Sequence, residues 1–150
     1  MRLGGRARAG DTFCHRGGAR LALEERIGEI LAPAKGHAAA FFLWGSHARG
    51  EAHSRSDIDV CVVAGPDADV TALQRLLWRE ISSEGDKLDV KIFEDLPLYL
   101  KGEVLDEGIL IWAQDTAGLE DYLWRYRKLW RDARHRHDVS AEEIRRALAG

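Results

Sequence analysis

Apolar positions along the chain fall into short continuous runs and into repeats at helical spacing. A helix is predicted over residues 19–31, and Pro33 follows its end. The apolar face of this helix would comprise Leu21, Leu23, Ile27, Ile30 and Leu31. Residues 38–44 are an uninterrupted apolar run rich in aromatic residues, which predicts a buried strand ending at Gly45-Ser46. A helical turn over 47–52 and a polar loop over 53–56 follow.

Strand-like and helix-like patterns continue to alternate after this loop. Further strands are predicted over 58–63, 87–93 and 109–112. Further helices are predicted over 70–84 and 97–107, with a turn at Gly85-Asp86. The order α-β-α-β-α-β-α-β predicts an α/β (α+β) domain over residues 19–115, in which a small mixed sheet of about four strands is flanked by helices.

Residues 116–150 are predicted to form a helical C-terminal extension. The apolar positions at helical spacing are Leu119, Tyr122, Leu123, Tyr126, Leu129, Trp130 and Ala133. A second short helix is predicted after Ser140, with Glu143 completing a capping box. The favoured interpretation is that this extension packs on the domain or on a second copy, as in a homo-oligomer through 116–150. Docking of a partner protein or of RNA is the alternative.

Composition and charge narrow the class of protein. The chain has 150 residues, is 45% apolar and carries a net charge of −3. Residues 1–18 form a basic stretch and are predicted to be a flexible tail, whereas the rest is acidic and disfavours a nucleic-acid partner. No apolar run approaches the roughly 20 residues that span a bilayer. Two cysteines exclude a disulfide framework, and no secretory signal is visible, so a cytoplasmic protein is expected.

The segment from Gly45 to Gly50 offers a seat for phosphate. A Gly-Ser pair between a buried strand and a helix presents backbone N–H groups and a hydroxyl, and glycine lets a phosphate approach the backbone closely. Gly45 and Ser46 are therefore candidate nucleotide-binding residues. Arg49 lies one helical turn further on and could either contact phosphate or brace the acidic loop.

Three aspartates are candidate metal ligands and catalytic groups. Asp57 and Asp59 are two residues apart on a strand, so both point to one face and repel each other unless a cation lies between them. Mg²⁺ is the cation that prefers carboxylates together with substrate phosphates. Asp89 lies in the next strand and could complete the cluster, which would suit two-metal nucleotidyl transfer. His47 and His53 lack the spacing of metal ligands and are interpreted as exposed positions, and Cys61 as a small core residue.

These residues together resemble a known family. Ser46 is separated by ten residues from Asp57-Ile58-Asp59, Ala48-Arg49-Gly50 lies inside the gap, and Leu88-Asp89-Val90 supplies a third acid. This pattern resembles the DNA polymerase β-type nucleotidyltransferase superfamily. More closely, it is similar to the minimal nucleotidyltransferases (MNT-type), the antitoxin partners of HEPN toxins. The resemblance covers about residues 21–115.

The resemblance implies an enzyme that uses ATP and Mg²⁺, with two ions bound. Gly45 and Ser46 would hold the β- and γ-phosphates, and Asp57 and Asp59 would bind both metals. Asp89 would bind the catalytic metal and help to deprotonate the attacking hydroxyl. The implied acceptor is a tyrosine hydroxyl on a small helical HEPN-type toxin, which would become AMP-modified.

Three alternatives to modification of a partner protein remain open from the sequence. The chain could be a non-catalytic antitoxin or scaffold that blocks its partner by contact. It could transfer nucleotides to RNA 3′ ends, which would require a basic groove. It could also modify itself at Tyr122 or Tyr126.

Overall fold

The computed structural model describes residues 14–81 and 87–149, but not the side chains of residues 14–17 and 137–144. Most of the expected N-terminal tail and the predicted turn at Gly85-Asp86 lie outside the described residues. No helix in the described part of the chain is long and apolar enough to cross a membrane.

Helices and strands alternate along the described chain. The strands are β1 (Ala40–Trp44), β2 (Ile58–Val63), β3 (Leu88–Ile92) and β4 (Ile109–Ala113). The α-helices are α1 (Cys14–Ile30), α2 (Ser46–Arg49), α3 (Val70–Ile81), α4 (Leu98–Glu107) and α5 (Thr116–Ala149). Two 3₁₀ turns, Ala32–Gly36 and Phe93–Asp95, follow α1 and β3.

The four strands form one mixed sheet in the order β3-β2-β1-β4. β1 pairs antiparallel with both β2 and β4, whereas β2 pairs in parallel with β3. A parallel pair needs a crossover connection, and α3 supplies it between β2 and β3. The predicted mixed sheet flanked by helices is therefore confirmed.

Each face of the sheet is covered by its own set of helices, because side chains alternate between the faces along each strand. One face packs against α1 and α3 through Phe41, Leu43, Val60, Val62, Ile27, Leu31, Leu73 and Leu77. The other packs against α4 and α5 through Ala40, Phe42, Trp44, Cys61, Val63, Val104, Leu105, Leu119 and Leu123. The predicted core role of Cys61 is confirmed, since this thiol is fully buried and burial raises its pKa.

Three details of the helix predictions were wrong. α1 begins at Cys14, before the expected start at 19, because glycine within a helix costs only about 1 kcal/mol and Gly17-Gly18 does not break it. Leu21, assigned to the apolar face of this helix, is 56% exposed. No second helix starts after Ser140, since α5 runs unbroken to Ala149. A capping residue does not start a new helix where the preceding residues already propagate one without Gly or Pro.

Candidate functional site

The turn from β1 into α2 brings the backbone against the carboxylate of Asp59. Gly45 has φ 73° and ψ −153°, a conformation that residues with a side chain rarely adopt. A Cβ atom at Gly45 would overlap the Asp59 carboxylate. Ser46 opens the four-residue helix α2, and Gly50 closes it in the left-handed conformation with φ 74°. Position 45 therefore requires glycine for two independent reasons.

Sheet register brings two of the three predicted acids side by side. Asp59 is the Cα partner of Trp44 on the antiparallel side and of Asp89 on the parallel side. It alternates in phase with Cys61, so it lies on the face covered by α4 and α5. Asp57 immediately precedes β2 and is exposed, whereas Asp59 and Asp89 are half-buried.

The carboxyl group of Asp59 is electrostatically disfavoured in its charged form. Burial raises its pKa above the ordinary value of 3.8, and the neighbouring charges of Asp89 and Asp57 raise it further. Lys91 and then His47 act in the opposite direction and lower the pKa of Asp59. A cation close to Asp59 would relieve the same repulsion.

The three acids do not form a preassembled metal cage. Over residues 14–81 and 87–149, no group of three or more His, Cys, Asp and Glu side chains is arranged to hold a metal ion. Asp89 instead pairs with Lys91, whose Nζ lies 3.5 Å from the carboxylate Oδ2. The donor chemistry nevertheless suits Mg²⁺, because the site offers carboxylate oxygens with an excess of negative charge.

Arg49 connects the turn at the site to α4 through hydrogen bonds to two glutamates. Its Nε donates to Glu51 at 3.0 Å and its guanidinium donates to Glu107 at 3.1 Å. The hydrogen bonds to Glu51 and then to Glu107 raise its pKa. The contact with Glu107 ties the end of α2 to the end of α4. The geometry therefore shows the bracing contacts that the sequence left as one of two roles for Arg49.

Sequence reasoning missed several residues around Asp59. His47, interpreted as exposed, is half-buried, and its Nε2 lies 3.5 Å from the Ser56 carbonyl oxygen. It also lowers the pKa of Asp59. Lys91 shares the strand face of Asp89, as the alternation along the strand predicts, but nothing in the sequence indicates its ion pair with Asp89. The buried indole N–H of Trp44 has no hydrogen-bond partner, and no sequence signal indicates this.

The opposite end of the same sheet face holds a carboxylate of a different kind. Glu94 accepts hydrogen bonds from the backbone N–H groups of Ala64 at 2.9 Å and Gly65 at 3.0 Å. The Tyr122 hydroxyl also donates to Glu94 at 2.8 Å. This arrangement, the Glu94 clamp, fixes α5 to the ends of β2 and β3. Tyr126 packs edge-on against Phe93 beside it.

Known proteins share this arrangement of strands and motif. Residues 25–117 match the family described as polymerase beta, nucleotidyltransferase. The chain belongs to the polymerase beta nucleotidyltransferase family. It is therefore a nucleotidyltransferase, and the Gly-Ser turn with its neighbouring aspartates lies within the matched segment.

One curated relative of this nucleotidyltransferase is a Methanocaldococcus jannaschii protein named "putative protein adenylyltransferase MJ1547". The two sequences are 39% identical over 95 residues, which cover 63% of this chain and 70% of the relative.

Solved structures of toxin–antitoxin complexes share the fold. A chain of a toxin–antitoxin crystal structure with AMP-PNP has a TM-score of 0.62 at 20% identity, covering 81% of this chain and 97% of that one. A structure of tri-AMPylated Shewanella oneidensis HEPN toxin in complex with MNT antitoxin gives a TM-score of 0.58 at 18% identity, covering 83% and 98%. At these identities the likeness concerns the fold alone.

Proposed function

We propose that this nucleotidyltransferase transfers AMP from ATP, with Mg²⁺, to a hydroxyl of a partner protein and acts as the antitoxin of a HEPN toxin. One observation carries the chemistry: Asp59 and Asp89 are adjacent in the sheet, directly beside the glycine turn at Gly45. This arrangement combines a candidate phosphate seat with a pair of carboxylates, of which Asp89 forms an ion pair with Lys91.

The glycine turn would bind the phosphates of the nucleotide, and the acids would bind the metal ion that accompanies them. The backbone of Gly45 and the hydroxyl of Ser46 hold the β- and γ-phosphates, since the first N–H groups of a helix have no intrahelical acceptor. Asp57, Asp59 and Asp89 would hold the metal. For this, the ion pair between Asp89 and Lys91 would have to break. Mg²⁺ bound there would neutralise phosphate charge and make the attacking hydroxyl more acidic.

The reaction is an in-line displacement at the α-phosphorus. The acceptor hydroxyl oxygen forms a bond to this phosphorus, and the bond between the α-phosphorus and the bridging oxygen to the β-phosphate breaks. Asp89 takes the hydroxyl proton, and pyrophosphate leaves with the electron pair of the broken bond. Arg49 keeps the turn in place through its ion pairs with Glu51 and Glu107.

Two findings support a protein as the acceptor. The M. jannaschii relative carries the name of a protein adenylyltransferase, and one structural neighbour is an antitoxin in complex with an AMPylated HEPN toxin. The tyrosines of the C-terminal helix are poorly placed as acceptors. Tyr122 and Tyr126 lie at the Glu94 clamp, and the five residue steps from Asp59 to Ala64, at the end of β2, span about 16 Å.

The test is label transfer in a lysate of the protein's own cells. The purified chain is incubated with Mg²⁺ and α-labelled ATP, beside Asp59→Asn and the matched variant Asp67→Asn, an exposed acid outside the site. We expect a labelled protein band with the wild type and Asp67→Asn, and loss of about 10³-fold or more with Asp59→Asn.

Other outcomes would select another function. Label in nucleic acid would indicate RNA 3′-end transfer, and label on the chain itself would indicate self-modification. Absence of both transfer and metal-dependent ATP binding would indicate a non-catalytic antitoxin. Any of these results would refute the proposed modification of a partner protein.

A further inference from the structure

A polar cavity lies between the end of α4 and the middle of α5. It has a volume of about 150 Å³. Its lining, called here the arginine pocket, consists of Leu105, Asp106, Arg127, Trp130, Arg131 and Arg134. None of these residues was assigned a role in nucleotide transfer.

Positive charge in the arginine pocket exceeds the negative charge available to it. The single carboxylate, Asp106, already accepts from the indole N–H of Trp130 at 3.0 Å and from Arg134 at 3.1 Å. Arg127 donates to the Leu105 carbonyl at 3.2 Å and has Glu120 at 3.9 Å. In the described part of the chain, no carboxylate pairs with Arg131. An incoming anion would therefore find a guanidinium group that does not have to leave another partner.

The arginine pocket lies at the same end of the sheet as the aspartates. Asp106 is adjacent to Glu107, which contacts Arg49 at the end of α2. β4 then begins at Ile109, opposite Leu43, one residue before the Trp44 that pairs with Asp59. Close packing fixes the pocket, since a Cβ atom at Gly102 of α4 would overlap the Trp130 ring. A molecule held there lies beside the transfer site.

We propose that the arginine pocket binds a carboxylate side chain of the acceptor protein and so docks the acceptor beside the transfer site. This inference rests on the proposed transfer to a protein. The volume suits one side-chain carboxylate, whereas small-molecule sites are typically about 300–1,000 Å³. Guanidinium groups bind carboxylates through paired hydrogen bonds.

Charge also favours an acidic protein segment over RNA. Three aspartates lie at the neighbouring transfer site, so the phosphates of an RNA strand that extended from the pocket towards this site would be repelled. An acidic side chain of the acceptor can enter the pocket without bringing negative charge to the transfer site, so it avoids this repulsion. The proposed ligand of the arginine pocket is therefore the side chain of an aspartate or glutamate of the acceptor.

Binding is tested directly with hexaglutamate as the probe. The Trp130 indole N–H signal, assigned by comparison with Trp130→Phe, is followed by NMR during titration of the full chain at constant ionic strength. Hexaserine is the control peptide, and Arg75→Glu, an exposed reversal on the opposite face of the sheet, is the matched variant. We expect hexaglutamate to shift the signal in the wild type and Arg75→Glu, with about ten-fold weaker binding in Arg131→Glu.

Several titration results would overturn the proposal. They are an unchanged Trp130 signal, an equal response in Arg131→Glu, or tighter binding of a uridine dodecamer than of hexaglutamate. The last result would indicate a nucleic-acid surface.

Docking is tested by transfer at limiting acceptor. With α-labelled ATP and lysate, Arg131→Glu should label the Asp59-dependent protein band about ten-fold more slowly than Arg75→Glu, with ATP affinity unchanged in both. Equal rates would overturn the docking role. If no Asp59-dependent band exists, transfer to a protein fails and the docking role falls with it. The hexaglutamate titration still reports separately whether the pocket binds an anion.

Discussion

Two carboxylates at opposite ends of the same sheet face have opposite surroundings. Glu94 receives two backbone N–H groups and the Tyr122 hydroxyl, so its lone pairs are satisfied by donors. Asp59 is flanked by Asp57 and Asp89, and no hydrogen bond to its carboxylate is present in the described part of the chain. The first arrangement supplies the carboxylate with hydrogen-bond donors, whereas the second raises the pKa of the Asp59 carboxyl group.

The difference separates a structural acid from one for which we propose a role in metal binding. A carboxylate that accepts several hydrogen bonds contributes to the folded state, and a cation would have to displace those donors in order to bind to it. A carboxylate held beside two others costs free energy in the empty protein and recovers it when a cation binds. Proteins retain such unfavourable repulsion between carboxylates mainly at functional sites.

The largest effect is expected from filling the space beside Asp59. Gly45→Ala places a methyl group where the Asp59 carboxylate lies and forces alanine into φ 73°. We expect loss of metal-dependent ATP binding by about 100-fold or more and destabilisation of about 1–3 kcal/mol. Calorimetric ATP titration and thermal unfolding measure both quantities.

Gly36→Ala is the matched control for this substitution, because a Cβ atom at Gly36 would meet no atom within 4 Å. It should leave ATP binding unchanged. Wild-type ATP affinity in Gly45→Ala would show that the turn is not the phosphate seat.

The structural acid should show the reverse effect. Glu94→Ala leaves the buried N–H groups of Ala64 and Gly65 without acceptors, at a cost of about 2–4 kcal/mol. We expect the Tm to fall by roughly 5–15 °C, while ATP affinity measured below the transition stays unchanged. Asp95→Asn, an exposed neighbour, should lower the Tm much less. Equal losses of stability in the two variants would remove the distinction between the ends of the sheet.

The pH dependence of stability sharpens the contrast. Because the folded pKa of Asp59 lies above its ordinary value of 3.8, the folded state binds this proton more readily than the unfolded state. The stability associated with that proton is complete below about pH 3.8 and is lost as pH rises through the folded pKa. In EDTA, we therefore expect the Tm of Asp59→Asn to increase relative to the Tm of the wild type as pH rises from 4 to 7.

Mg²⁺ should close this gap by stabilising the wild type alone. Asp67→Asn is the control and should follow the wild type at every pH. A Tm difference between wild type and Asp59→Asn that does not change with pH would mean that Asp59 is not destabilised by its neighbours.

Local signals allowed the fold and the centre of the site to be predicted. β2 has the predicted bounds 58–63, because a β-branched run between a polar loop and Gly65 leaves little choice of register. The pairing of Asp59 with Asp89 followed from the expectation of neighbouring strands. The roles assigned to Gly45, Ser46, Asp57, Asp59, Asp89 and Arg49 in nucleotide and metal binding stay predictions.

What could not be predicted depends on contacts between distant parts of the chain. Glu94 looks like any acid after a strand until Tyr122, 28 residues further on, packs above it. The contact between Arg49 and Glu107 spans 58 residues, and only the packing of α4 brings the two together. Periodicity reports which face of an element is buried, and it carries no information on which polar groups meet across elements.

The smallest expected effect comes from removing a single donor of the Glu94 clamp. Tyr122→Phe keeps the ring packing and the two backbone hydrogen bonds of Glu94. It removes the 2.8 Å hydrogen bond to Glu94 and the longer one of 3.4 Å with the Tyr126 hydroxyl, at an expected cost of about 0.5–1.5 kcal/mol. Burial, followed by the hydrogen bonds with Tyr126 and Glu94, raises the pKa of Tyr122, so its hydroxyl stays protonated and bonded at neutral pH. We expect a Tm decrease of a few degrees and unchanged label transfer. A loss of label from the chain itself in Tyr122→Phe would show instead that this hydroxyl reaches the aspartates, which would require α5 to leave the clamp.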